Sequence, residues 1–408
     1  MPAVTAQPSF SSLAQSFMET QEQLMPVETR RSKLFIGIPK ETTLQENRVP
    51  LVPSSVATLT ARGHRIVIEA GAGLQAHFND HEYSEAGAEI AYSVEDVFKA
   101  SVILKVAPPT LDEIDLCHPN QILITPLQAP IITEEYVNKL RKKRVIALAM
   151  EYIKDDVGSF PIVRIMSEIA GMNALLTATE LLSSTRGGIG VLLGGVAGVP
   201  PAKVVILGAG VVGEFATRVA LGLGAEVRIF DNNIYKLMRL QNQVGRQLFT
   251  SAIDPSVLTR ELTTADAAIG AIHSGNGRAP MVVTEDMVQK MRAGSVIIDV
   301  SIDQGGCFET SRLTTHDKPT FRSHDVIHYC VPNIASRVPR TASNAISNIM
   351  MPILLRSEQY NGIDNLLTQN LGLLNGIYIY KGSLTNRYLS ERFNMRYTSI
   401  ELLMTSNI

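Results

Sequence analysis

Short runs of apolar β-formers recur along the chain, each followed by a segment whose apolar positions fall at helical spacing. From residue 33 onward, strands are predicted at Leu34–Ile38, Arg65–Glu69, Val102–Lys105, Gln121–Thr125 and Val145–Ala149. Helical patterns at Ser54–Ala61, Val94–Ala100 and Ile132–Lys142 separate them. Alternation of this kind predicts a parallel sheet with helices on both faces, because every crossover lays a helix against the sheet. Ser167–Leu182 reads as a long helix that is apolar on several sides, which suits a connector buried between two domains. A second alternating series follows. Its strands are Val204–Leu207, Glu226–Phe230, Asp266–Ile272, Ser295–Val300 and Asp325–Cys330, with helices at Val211–Leu223, Ile234–Phe249 and Glu285–Met291. Thr341–Gln359 is a last long helix, and the tail to Ile408 is too short for a domain of its own, so it is expected to fold back onto the first one.

The second series begins with the most informative stretch. Val204-Val205-Ile206-Leu207 runs into Gly208-Ala209-Gly210-Val211-Val212-Gly213, and the next strand ends at Asp231. Strand, Gly-x-Gly-x-x-Gly turn, helix, strand and acid in this order form a dinucleotide-binding fingerprint. Gly208 permits the tight turn, Gly210 lets backbone N–H groups approach a pyrophosphate, and Gly213 lets helix and strand pack closely. Free N–H groups of the helix that opens at Val211 and Val212 would face the phosphates. Asp231 can accept both ribose hydroxyls and repels a 2′-phosphate. Asn232 and Asn233 follow it with no Arg beside them, so NAD is favoured over NADP. The fold class is α/β: two Rossmann-like doubly wound parallel-sheet domains with a cleft between them.

Composition narrows the function. The 408 residues give room for two domains, and 45% hydrophobic with 19% charged residues fits a globular chain with a sizeable core. A net charge of −2 gives no electrostatic reason to expect nucleic acid or an anionic membrane. Three scattered cysteines, Cys117, Cys307 and Cys330, lack metal-ligand spacing and point to a reducing cytoplasm. The longest apolar stretch, Gly187–Gly213, is interrupted by Pro200, Pro201 and Lys203, so no membrane span is expected. Residues 1–32 form an N-terminal extension without the features of a signal peptide; it is read as a mobile arm or a short amphipathic helix at Leu13–Leu24. His324 and His328 would share a face only on a helix, and Val326-Ile327 between them favour a strand, so no metal is expected.

Several segments carry a family pattern: Gly37-Ile38-Pro39-Lys40-Glu41 with Arg48-Val49, Glu69-Ala70-Gly71-Ala72-Gly73, Met166-Ser167-Glu168, Ile302-Asp303-Gln304-Gly305-Gly306 and Tyr329-Cys330-Val331-Pro332-Asn333. With these the chain resembles the family of alanine dehydrogenase and the nucleotide-binding subunit of proton-translocating transhydrogenase, on the alanine dehydrogenase side. The resemblance implies a substrate domain of residues 33–163 with 341–408, an NAD-binding domain of residues 164–340, and a homo-oligomer, hexamer or dimer. It implies reversible oxidative deamination of a small L-amino acid to a 2-oxo acid. Arg48 would hold the substrate carboxylate, the alternative being a surface Arg paired with Glu41 or Glu46. Met166 would sit beside the substrate. Ser167 would bond the cofactor, or serve as a helix N-cap. Lys236 would reach the adenosine side, and Asn333 the nicotinamide region or merely a turn. Asp303 would lie between nicotinamide and substrate amine. His273, at the end of a strand, is a loop residue or a stand-in proton carrier.

Two positions depart from the pattern. Lys105-Val106-Ala107 has Ala where the family has a second Lys, and Thr125-Pro126-Leu127-Gln128 has Gln where it has a His. An amide can hydrogen-bond a carbonyl but shuttles no proton near neutrality. The departures leave three readings open: alanine dehydrogenase, the same chemistry on another small amino or oxo acid, and a nucleotide-binding protein without catalysis.

Overall fold

The computed structural model describes residues 33–43, 45–129, 131–273 and 278–405; the N-terminal extension and its candidate helix at Leu13–Leu24 lie outside them. Two sheets form. The first contains β1 (Phe35–Ile38), β2 (Arg65–Glu69), β3 (Glu89–Ala91), β4 (Val102–Leu104), β5 (Ile122–Thr125) and β6 (Ile146–Ala149). The second contains β7 (Lys203–Leu207), β8 (Glu226–Phe230), β9 (Phe249–Ser251), β10 (Ala267–Gly270), β11 (Val296–Asp299), β12 (Thr320–Ser323) and β13 (Val326–Tyr329). β14 (Ile377–Tyr380) and β15 (Ser383–Leu384) then return to the first sheet.

The strand orders are β15-β14-β6-β5-β4-β1-β2-β3 and β12-β13-β11-β10-β7-β8-β9. Pairing is parallel except where β14 joins β6, β15 joins β14 and β12 joins β13. The tail thus folds back onto the first sheet, as expected. β5, β6, β10 and β11 are buried at every position, the pattern of strands covered on both faces. In each sheet the order reverses beside one strand, β1 in the first and β7 in the second. Crevices outside the carboxyl ends of such strands are where open α/β sheets take their ligands.

A 21-residue connector helix, Pro161–Leu181, joins the two sheets. It starts a turn and a half earlier than its apolar pattern indicated, with Pro161 at the first helical position, where no N–H is needed. It crosses the helix Val211–Gly222 at Gly171, where an added Cβ would stand 2.3 Å from the Val212 carbonyl oxygen. That close crossing brings Met166 and Ser167, just upstream, up to the Gly208–Gly213 turn. A return helix, Pro339–Arg356, leads the chain back toward the first sheet and packs on the helix Pro53–Ala61 and the connector.

Other differences from the pattern have simple causes. The helix expected to reach Phe249 stops at Val244, because Gly245 adopts φ +71, and Phe249 opens β9 instead. β3 and β9 have three residues each, too few to display a period. Helices Asp80–Glu85 and Leu111–Leu116 are also short, and both announce themselves by capping boxes, Asn79 with Glu82 and Thr110 with Glu113. No helix among the described residues is long and apolar enough to cross a membrane.

Candidate active site

The Gly208–Gly213 turn is built by three glycines with three different constraints. Gly208 has φ +107, and a Cβ there would meet the Ala271 carbonyl oxygen at 2.4 Å. A Cβ at Gly213 would lie 1.9 Å from the Gly208 carbonyl oxygen. At Gly210 a Cβ would meet nothing within 4 Å. The first two are required by the protein's own packing, whereas the third faces open space at the N-cap of the helix Val211–Gly222, whose first N–H groups lack intrahelical partners. Asp231 closes the turn by accepting from the N–H of Ala209 at 2.8 Å and of Asn233 at 2.7 Å. Each carboxylate oxygen retains a lone pair, so ribose hydroxyls still find acceptors. Lys236 lies half-buried on the next helix, its N–H capped by Asn233. These residues fit a dinucleotide.

A cavity of about 350 Å³ continues from this turn into the space between the sheets. Strand ends supply most of its wall: Val106 after β4, Gln128 after β5, Met150 and Glu151 after β6, His273 after β10, Asp303 after β11 and Asn333 after β13. Arg48, Met166, Ser167 and Val212 line it as well, and Pro126, Ile162 and Ile346 belong to its apolar part. Arg48, Met166, Gln128, Ser167, Val212, His273, Asp303 and Asn333 are therefore brought together. Gly208, Gly210, Val211, Gly213, Asp231 and Lys236 do not border this cavity; the first four form the turn and helix start beside it.

Arg48 is buried, at 7% exposure, and not the surface residue of the alternative sequence reading. Its fork does pair with Glu46: Nε donates to Oε1 at 2.7 Å and Nη2 to Oε2 at 2.5 Å. Nη1 is left over and points at the Met166 sulfur, 3.2 Å away. Three serines hold the irregular stretch that carries Arg48. The hydroxyls of Ser336, Ser343 and Ser347 accept from the N–H groups of Asn47, Val49 and Val52 at 2.9, 2.9 and 3.1 Å. A buried loop needs such partners, since its backbone has no sheet or helix to bond to. Burial pushes the Glu46 carboxyl up, but the Arg48 charge and the hydrogen bonds from Arg48 and Asn333 outweigh it and hold it below the ordinary value.

Asp303 remains open to the cleft while lying deep among protein atoms. Desolvation lifts its carboxyl to about 6, against the Asn333 N–H, which donates to it at 3.0 Å, and the nearby Arg48 charge. The residue has the ionisation needed for proton transfer near neutral pH. Asn333 sits in a turn with φ +56 and also donates through Nδ2 to Glu46 at 2.6 Å, so it is both a turn residue and a link across the cleft. His273 is exposed at the cavity wall, and burial by its surroundings together with Lys236 lowers its pKa. Ser167 lies inside the connector helix and is not an N-cap; Phe160 holds that position.

Gln128 adopts φ +47, and its N–H and that of Leu127 both donate to the Glu151 carboxylate, at 3.0 and 2.8 Å. Burial raises the pKa of Glu151, opposed by those N–H groups. Ala107 is fully buried and does not border the cavity; its N–H and that of Val106 point at Glu41, at 3.3 and 2.7 Å. Lys105 is turned away from the cavity into a buried cluster, with its ammonium 2.9 Å from both Glu41 and Glu113. Glu46 and Glu151 were not read as site residues from the sequence; for Glu151 a charge just past the end of β6 was the available signal, whereas Glu46 lies well beyond β1 and carried none.

The remaining candidates lie elsewhere. His328 is in β13, stacked on Phe321 with its Nε2 2.8 Å from Thr310 Oγ1, while His324 is in the preceding turn and pairs with Glu285 at 2.6 Å. They share no helix face. Cys117, Cys307 and Cys330 are buried and unbridged, as packing residues are.

Comparison with known proteins agrees with this architecture. The family descriptions "Alanine dehydrogenase/PNT, N-terminal domain" and "Alanine dehydrogenase/PNT, C-terminal domain" match residues 37–170 and 174–387. Alanine dehydrogenase 2 of Staphylococcus aureus (strain USA300) is 40% identical over 368 residues, which are 90% of this chain and 98% of that one. Among solved structures, an L-alanine dehydrogenase superposes with a TM-score of 0.83 at 38% identity, covering 88% of this chain and 99% of that chain. A transhydrogenase from Sinorhizobium meliloti gives 0.73 at 25% identity, covering 86% and 99%. With both family domains matched in order and nearly the whole of a 40% identical relative covered, the chain belongs to the alanine dehydrogenase/PNT family and is a dehydrogenase of the alanine dehydrogenase type.

Proposed function

We propose that this dehydrogenase uses NAD to interconvert a small L-amino acid with its 2-oxo acid and ammonia, L-alanine and pyruvate being the first pair to test. The observation that carries the reading is the meeting, around one cavity, of a buried guanidinium, a carboxyl raised to about 6 and the start of the nucleotide helix. Residues 33–163 with 341–408 form the substrate domain and residues 164–340 the NAD-binding domain. The assembly is a homo-oligomer, dimer or hexamer, in the cytoplasm; solution scattering decides the first point.

In this reading Gly208, Gly210 and Gly213 with the N–H groups at Val211 and Val212 hold the pyrophosphate, Asp231 the ribose, and Lys236 the adenosine side. Ser167, His273 and Asn333 line the nicotinamide end. When bound, NAD accepts or delivers a hydride at its nicotinamide ring. The Arg48 Nη1–Nη2 edge receives the substrate carboxylate, a charge-assisted contact whose loss costs about 1.5–3 kcal/mol of binding. Met166 packs against the substrate from the connector helix. Asp303 takes a proton from the substrate amine as hydride leaves the α-carbon, which gives the imine. One water then adds to the C=N carbon and supplies the oxo-acid oxygen as the C–N bond breaks and ammonia leaves. The reverse direction retraces these steps, with Asp303 returning the proton. Gln128 donates through its amide to the oxygen of the oxo acid. Enclosure of the cavity between the two sheets keeps bulk water away during hydride transfer, leaves room for the one water that hydrolysis consumes, and holds the reacting atoms together.

The test is a steady-state assay with NADH, ammonia and a panel of 2-oxo acids, run beside calorimetry with NADH alone. Turnover confined to pyruvate supports the alanine assignment. Turnover with a different acid supports the same chemistry on another substrate, a reading favoured by the non-titrating Gln128 at the cavity wall. NADH binding with no turnover on any acid sinks the catalytic proposal.

A further inference from the structure

The cross-cleft links converge on one carboxylate that no step above uses. Glu46 lies in the loop after β1, at 6% exposure, and accepts from four side-chain donors. Two are on Arg48. The third is Asn333 Nδ2 at 2.6 Å and the fourth Ser336 Oγ at 3.2 Å, both from the segment after β13 on the other side of the cavity. Asn333 in turn donates its backbone N–H to Asp303. The chain Arg48–Glu46–Asn333–Asp303 thus runs without interruption from the substrate anchor to the proton carrier.

We propose that Glu46 is the positioning residue of this active site: it fixes the Arg48 fork edge-on and fastens it to the Asn333–Asp303 loop. A guanidinium offers two bidentate edges. Glu46 occupies the Nε–Nη2 edge, which leaves Nη1 and the free side of Nη2 for a substrate carboxylate. The arrangement has an electrostatic cost. A second anion beside the guanidinium weakens its pull on the substrate, so Glu46 exchanges raw anion affinity for aim. Removing the charge should therefore affect binding and turnover in opposite directions, which loss of a merely structural contact would not do.

The inference rests on Arg48 being the carboxylate anchor, and the experiment separates the two. Glu46→Gln, Glu46→Asp and Arg48→Lys are compared with the wild type using the 2-oxo acid that the panel selects, at saturating NADH. For Glu46→Gln the expected results are a kcat at least tenfold lower and a KM for the oxo acid about tenfold lower, from removal of a nearby like charge. Inhibition by chloride should appear, and the NADH Kd should stay within threefold. Glu46→Asp keeps the charge with a shorter reach; its kcat falls at least threefold with KM little changed, and it carries the test if the Gln variant does not fold. A kcat within threefold of wild type in either folded variant, or a raised KM with kcat unchanged, overturns the proposal. If Arg48→Lys leaves the oxo-acid KM unchanged, or no oxo acid is reduced, the anchor reading itself fails and this inference falls with it.

Discussion

Alanine substitution at Gly210 and at Gly213 should separate binding from folding within a single turn. At Gly213 the new Cβ would sit 1.9 Å from the Gly208 carbonyl oxygen, and that backbone cannot move without displacing the end of β7. Overpacking against fixed backbone costs about 1–3 kcal/mol or more. For a domain of this size each kcal/mol lowers Tm by about 2–4 °C, so Gly213→Ala should melt about 5–10 °C below wild type. At Gly210 the backbone has φ −77 and the Cβ meets no atom, so Ala is strain-free and loses only a modest N-cap preference, about 0.5–1 kcal/mol. Its methyl group nevertheless enters the open space where a pyrophosphate would come closest. Gly210→Ala should therefore melt within about 3 °C of wild type and bind NADH about 10–100-fold more weakly, a loss of about 1.4–2.8 kcal/mol. Thermal melts followed by calorimetric titration with NADH give both numbers. If Gly210→Ala binds NADH within twofold of wild type, the pyrophosphate does not lie over this turn. Equal destabilisation by both substitutions would refute the packing argument.

Three further outcomes follow from the site. In the proposed reaction oxidative deamination uses Asp303 as carboxylate, so its rate should climb as pH rises through about 6; Asp303→Asn should remove that limb and lower kcat about 10²–10⁴-fold. Gln128→His introduces an imidazole at the cavity wall and should raise pyruvate reduction at pH 7 at least tenfold, measured by NADH consumption; no gain would mean that the cavity is shaped for a different acid. Glu41 concerns stability. Burial lifts its carboxyl from the ordinary 4.5 to about 7, so the folded state holds this proton more tightly than the unfolded chain. Its stabilising contribution is complete below about 4.5 and is lost as pH rises through about 7. Glu41→Gln mimics the protonated form, and its Tm minus that of the wild type should grow more positive from pH 5 to pH 8. A constant difference across that range would count against the shift.

Local rules made most of the architecture readable. The buried parallel strands declare themselves as apolar runs, and the order strand–turn–helix–strand–Asp231 is contiguous in sequence, so the glycine turn and the elements around it could be placed before any contact was known. The substrate side was legible only by resemblance. Arg48 is one charge among 76 Lys, Arg, Asp and Glu residues, and its burial depends on serines at 336, 343 and 347, almost three hundred residues away. Glu151 is 23 residues from Gln128, and no periodicity links the end of β6 to the loop after β5. Such pairings are set by sheet order, which alternation predicts in kind and not in detail. The start of the connector helix near Ser167 was misplaced because Pro161-Ile162-Val163-Arg164-Ile165-Met166 is rich in β-branched residues behind a Pro; that Pro marks the first helical position, and Ile162, Val163 and Met166 line the cavity.

The return of β14 and β15 to the first sheet also orders events during synthesis. β6 leaves the ribosome early, yet its outer edge stays bare until residues 150–376 have been made and β14 can dock. The strands of the second sheet, by contrast, lie within one uninterrupted segment, from β7 to β13. That inner segment can complete its pairing while the outer sheet still lacks its last two strands. A nascent chain halted before Ile377 would therefore carry a fully paired second sheet beside a first sheet still open along β6, an edge to which a strand of another chain could add.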